Sequence, residues 1–169
     1  MKHLATAALL IGALALTACD KSSRFGEDGA GDAAGGAAGA SGTVSDPASP
    51  AYFSQVVGDR VLFEVDQSTL TATAQDVLTQ QARWFGDNPE YTAIIEGHAD
   101  EQGTREYNLA LSARRASAVQ AFLIDRGVAP SRLKTIPYGK ERPLRLCSEE
   151  SCYSQNRRAV TVLSTGGIR

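Results

Sequence analysis

Apolar and polar positions divide the chain into three regimes. Leu4 to Leu16 is an apolar run, Asp20 to about Pro50 has no apolar periodicity, and from Val61 onward strand-like runs alternate with helical stripes. The first strand-like run is Val61 to Asp66, and Ser68-Thr69-Leu70-Thr71 leads into a helix that Thr71 is suited to cap. Along that helix Ala74, Val77, Leu78, Gln81 and Phe85 share one stripe, with Trp84 beside it as part-buried packing, and Asp87-Asn88-Pro89 ends it. Tyr91 to Ile95 reads as a short buried strand. A helix from about Arg105 follows, with Leu111, Ala118, Val119 and Phe122 at helical spacing, and Gly127 suits the left-handed position that stops it.

Beyond Pro130-Ser131 a short strand is expected near Leu133 to Ile136, then a loop with room for a short helix. In the last strand, Arg158 to Ser164, Ala159, Thr161 and Leu163 alternate with Val160 and Val162. The order β-α-β-α-β-(α)-β predicts an α/β (α+β) domain of two layers, one mixed sheet covered by helices, with no internal repeat.

The amino-terminal run is the length of a signal-peptide core and too short to cross a bilayer comfortably, and Lys2 and His3 precede it, so export is expected. It closes on Leu16-Thr17-Ala18-Cys19, which resembles a bacterial lipobox. That resemblance implies a lipoprotein signal over 1–18 and a lipidated Cys19 as the first mature residue, anchored by several acyl chains at about 0.8 kcal/mol per buried methylene. Asp20 resembles an inner-membrane retention signal of enterobacteria, a rule that does not extend to all bacteria. Residues 19–50 form the lipidated cysteine and its linker, which between Gly29 and Gly42 is nearly all Gly and Ala and is expected to lack structure. Its mean span is about 30 Å and its full reach roughly 100 Å. Residues 51–169 remain for one globular domain.

A formal charge of −2, from 17 basic and 19 acidic residues, gives no global attraction to nucleic acid. Of three cysteines, Cys19 is accounted for by lipidation. Cys147 and Cys152, close together in an exported chain, favour a disulfide over a metal pair.

Chemistry concentrates between Glu96 and Arg115, where a strand passes through a polar loop into a helix, the place where open α/β sheets put ligands. Gly97 and Gly103 allow tight turns, and His98, Asp100, Asn108, Arg114 and Arg115 exceed what a plain connection needs. Glu96, His98 and Asp100 would share a face of a strand, an arrangement open to hydrolysis or metal binding. However, His98 is the one histidine outside the signal peptide, and no serine or cysteine sits with a base and its orienter, which argues against an enzyme.

Gly97-His98-Ala99-Asp100, Gly103, Tyr107-Asn108, Leu111-Ser112, Arg114-Arg115-Ala116 and Asn156-Arg157-Arg158, in this order and spacing, resemble the OmpA-like peptidoglycan-binding family over about Phe63 to Leu163. The resemblance is greatest to its lipid-anchored branch. It implies non-covalent binding of the diaminopimelate stem peptide of peptidoglycan, with no cofactor, metal or catalytic residue. It also implies a domain facing the periplasm from the outer membrane, and TolB and other Tol proteins as partners in envelope integrity and cell division. An OmpA-like wall anchor outside the Tol system would share the same chemistry.

The resemblance assigns Arg115 to the ligand carboxylate, where a guanidinium gives two parallel hydrogen bonds, and Asp100 to the same ligand. Val65 and Asp66 fall on a Phe-x-x-Asp segment that lines the pocket, although Val65 replaces an aromatic residue common there. Asn108, Arg157 and Arg158 match further lining positions. Three alternatives stay open from the residues themselves. Arg115 sits on the inward stripe and would serve equally as a buried partner of Asp100, Asp66 suits a turn or cap, and adjacent Arg157 and Arg158 point to opposite faces, so at most one reaches the site.

Overall fold

The structure, a computed structural model, describes residues 42–165. Cys19 and the linker up to residue 41 lie outside the described residues. No helix among the described residues is long and apolar enough to cross a membrane.

Four strands form one mixed sheet in the order β1-β4-β2-β3: β1 Arg60–Leu62, β2 Tyr91–His98, β3 Leu133–Gly139 and β4 Arg158–Thr165. β2 and β3 run parallel, whereas β4 pairs antiparallel with both β1 and β2. The helices are α1 (Pro50–Tyr52, continued by a π-helical turn Phe53–Gly58), α2 (Ala72–Asp87), α3 (Arg105–Asp125) and α4 (Glu150–Asn156). The expected β-α-β-α-β-(α)-β order is therefore present, preceded by a helical segment that the sequence pattern did not reveal.

Each long helix starts on a threonine cap. Thr71 Oγ1 accepts from Ala74 N at 3.2 Å and Thr104 Oγ1 from Tyr107 N at 3.2 Å, satisfying backbone donors that the first helical turn leaves free. α3 ends as Gly127 turns to φ +96° and Val128 N donates to Leu123 O at 3.0 Å, with both hydrophobic partners buried. The helices cover the face of the sheet that carries Ala93, Ile95, Ala159 and Thr161, and Thr161 Oγ1 meets the buried amide of Gln81 at 2.9 Å.

Three expectations change. β1 stops at Leu62 instead of running to Asp66: Phe63 N still donates to Arg157 O at 2.9 Å, but Asp66 adopts φ +55° and the chain turns away. Trp84 is buried, not part-buried, packing against Phe53 at 4.8 Å and donating from Nε1 to Pro47 O at 2.7 Å. Residues 43–49, assigned to the linker, form turns in which Ser49 caps α1, so the packed domain begins before Ala51.

Gly97 sets the distance between sheet and helix. A Cβ there would collide with the Ser112 carbonyl of α3, so only glycine lets the end of β2 lie this close to the helix. Beside it the Ser112 hydroxyl accepts from Gly139 N at 2.9 Å and donates to Leu109 O at 2.8 Å, joining β3 to α3. The carboxyl end of β2 and the amino-terminal half of α3 are thereby fixed as one unit.

Candidate functional site

Two loops converge beside this unit, the Glu64–Gln67 turn after β1 and the Ala99–Thr104 loop after β2. Arg115 sews them together. Its Nε donates to Gln67 O at 2.8 Å, Nη2 to Glu64 O at 3.1 Å and Nη1 to His98 O at 2.9 Å, while its guanidinium lies 5.2 Å from the centre of the Phe63 ring. The residue is fully buried, at 0% exposure. Burial lowers its pKa to about 10, with Asp100 pulling the other way, so it stays charged at neutral pH. A direct pairing of Arg115 with Asp100, one of the two sequence readings, is not what the structure shows. The Arg115 fork is occupied by three carbonyls, and it makes no direct ion pair with Asp100 among the described residues.

Asp100 pairs instead with Arg157, Oδ2 accepting from Nη1 at 3.2 Å, while its Oδ1 accepts from Gln102 N at 3.2 Å. Arg157 also donates from Nε to Phe63 O at 3.2 Å and bidentately to the Glu150 carboxylate of α4. Burial works against its charge, but the hydrogen bonds it donates to Glu150 and Asp100 outweigh it and raise its pKa. The same hydrogen bond to Arg157 holds the Glu150 carboxyl below the usual range.

The remaining expected residues divide sharply. Asp66 accepts from Tyr107 Oη at 3.2 Å, tying the β1 turn to α3, and the side chain of Val65 is 49% exposed beside it. Asn108 is buried and donates to Gln102 O at 2.8 Å, so it shapes the loop and does not face out of it. Arg158 is on the other side: it donates to Asn156 O at 3.3 Å and Arg142 O at 3.2 Å, and so Arg157 alone of the pair joins the site. Arg157 caps the end of α4 and Arg158 opens β4, and their side chains part there. Cys147 and Cys152 form the disulfide.

Glu96, His98 and Asp100 do not form one cluster. His98 Nε2 is 3.6 Å from Glu96 Oε2 and its ring stacks on Tyr138, but Asp100 lies beyond the strand end and is engaged with Arg157. No group of three metal-ligating side chains occurs among the described residues.

Sequence reasoning missed Glu150, Lys140 and Asn156. Lys140 Nζ donates to Gly103 O at 2.8 Å, and Asn156 bonds Glu101 and the backbone at Leu144 and Arg145, holding both rims. Asn156 was visible as part of the Asn-Arg-Arg block. Lys140 and Glu150 carry no local signal, because their roles depend on long-range contacts.

The OmpA family profile matches residues 62–157, more than half of the chain. The chain belongs to the OmpA family. Among curated relatives, the peptidoglycan-associated lipoprotein of Mesorhizobium japonicum is 56% identical over 121 residues, covering 72% of each chain. That of Rhizobium meliloti is 48% identical over 158 residues, covering 94% of this chain and 86% of the relative. Among solved structures, the peptidoglycan-associated lipoprotein from Burkholderia pseudomallei superposes with a TM-score of 0.64 at 36% identity, over 72% of this chain and 98% of that one. The C-terminal domain of Helicobacter pylori MotB, 22% identical with a TM-score of 0.60 over 64% of this chain and 85% of that one, shares the fold. The family profile covers the domain alone, whereas the match to the Rhizobium meliloti relative extends over nearly the whole chain; both curated relatives are named as lipoproteins and not as enzymes.

Proposed function

We propose that the chain is a lipid-anchored, non-covalent peptidoglycan-binding protein that tethers the outer membrane to the cell wall. Cys19 carries the anchor, the Gly/Ala-rich linker supplies reach, and the OmpA-family domain grips the diaminopimelate stem peptide from the periplasmic side. TolB and other Tol proteins are its partners, in envelope integrity and cell division. The observation that carries the reading is the Asp100–Arg157 pair at the end of β2, walled by the Val65-Asp66 turn and backed by Arg115. An acid and guanidinium groups side by side match a ligand that presents both an ammonium and a carboxylate. The relatives' name, peptidoglycan-associated lipoprotein, supports association with peptidoglycan.

The two attachments separate by fractionation. The wild-type chain is expected in the membrane fraction and, after detergent extraction, with sedimented sacculi. Cys19→Ser is expected to leave the membrane yet still sediment with purified sacculi. Wild type that stays in the supernatant with purified sacculi contradicts wall binding, and a processed Cys19→Ser chain that remains membrane-bound contradicts the lipid anchor.

A further inference from the structure

The site as folded is covered. Arg115 is fully buried, Asp100 is buried, and the Arg157 side chain is 4% exposed, so a ligand carboxylate reaches a guanidinium only if something yields. Arg157 directs four hydrogen bonds, to Phe63 O, to Asp100 Oδ2 and two to Glu150. The first partner is backbone beside the sheet and the second is a buried carboxylate. Glu150 differs, because its side chain is 64% exposed.

Glu150 meets Arg157 through both carboxylate oxygens, the geometry by which a guanidinium recognises a free carboxylate. Exchanging one exposed carboxylate for another leaves the charge on Arg157 balanced, whereas removing Asp100 would strand a buried cation. There is also room for an incoming group. Glu150 and Arg157 both line a groove of about 610 Å³ with Phe63, Glu64, Thr73 and Leu144. The Cys147–Cys152 disulfide and the Asn156 bonds to Leu144 and Arg145 tie α4 to the preceding loop, and the exchange requires only rotation of the exposed Glu150 side chain.

We propose that Glu150 is an internal stand-in for the ligand: its carboxylate occupies the outer edge of Arg157 and is displaced when a stem-peptide carboxylate binds there. The proposal rests on the peptidoglycan reading of the site. An occupied site raises the apparent Kd by the inverse of its open fraction, so an open fraction between about a tenth and a third weakens binding about three- to tenfold.

The test is titration of the full chain in detergent with a muramyl tripeptide ending in meso-diaminopimelate, comparing wild type with Glu150→Gln. The variant keeps the shape of the side chain and removes the competing charge. It is expected to bind about three- to tenfold tighter, with an unchanged thermal melt. Equal or weaker binding by the folded variant, alongside measurable binding by wild type, overturns the stand-in role and leaves the peptidoglycan reading intact. Absence of binding by both chains overturns the two together. Should Glu150→Gln melt early, Glu150→Asp, which shortens the reach to Arg157, replaces it under the same criterion.

Discussion

Arg115→Lys is expected to destabilise the domain by about 3 kcal/mol, the loss of two of its three charge-assisted hydrogen bonds. An ammonium has no planar fork, so it does not span the carbonyls of Glu64, Gln67 and His98 that the guanidinium joins. Arg115→Ala is expected to do more damage, because all three carbonyls lose a donor and the space over Phe63 empties. The effect is large because the two loops that form the site are held to each other through Arg115. Urea unfolding of wild type and both variants checks it, and a lysine variant within about 0.5 kcal/mol of wild type would show that the clamp contributes nothing.

The second large effect is acid sensitivity from His98. The ring is 2% exposed, neither nitrogen has a hydrogen-bond partner among the described residues, and burial, then Arg158 and Arg142, lower its pKa from 6.5 to about 4. Glu96 of β2, Arg158 of β4, and Tyr138 and Arg142 from β3 and the loop after it surround the ring. Above the unfolded value the ring is neutral in both states, and its contribution to stability is fully present. As pH falls from about 6.5 to about 4 the unfolded chain takes up a proton that the folded chain refuses, so stability falls with it by about 3 kcal/mol. Below the folded value both states are protonated and the loss stops growing. Carboxylates titrate in part of this window too, so the informative quantity is the difference between wild type and His98→Gln in urea unfolding at about pH 7 and about pH 4. The variant is expected to lose about 3 kcal/mol less over that interval, and an identical loss would remove His98 from the account.

What the sequence disclosed depended on how local each feature is. Thr71 and Gly127 bound their helices through contacts within one turn, and α3 buries Leu111, Arg115 and Val119 on the stripe that their spacing defines. The adjacency of Arg157 and Arg158 limited the site to at most one of them, and it took the contacts of Arg157 with Asp100 and of Arg158 with Arg142 to tell them apart. Features made by distant residues were not legible. The end of β1 depends on the Asp66 turn and on a guanidinium 48 residues beyond Gln67. Trp84 looked half-buried because the Pro47 carbonyl that covers its indole belongs to a stretch with no periodicity. Glu150 had no signal at all, because it opens the short helix α4, which a disulfide and Asn156 tie to the preceding loop.

The central claim is recognition of diaminopimelate, which differs from lysine at the same place in the stem peptide by one side-chain carboxylate. Titration of the full chain in detergent with matched muramyl tripeptides, one ending in meso-diaminopimelate and one in lysine, isolates that group. The account predicts a preference for the diaminopimelate peptide of on the order of tenfold or more, about 1.5–3 kcal/mol for a charge-assisted hydrogen bond, shrinking as salt is added. Equal affinity for the two peptides would contradict it.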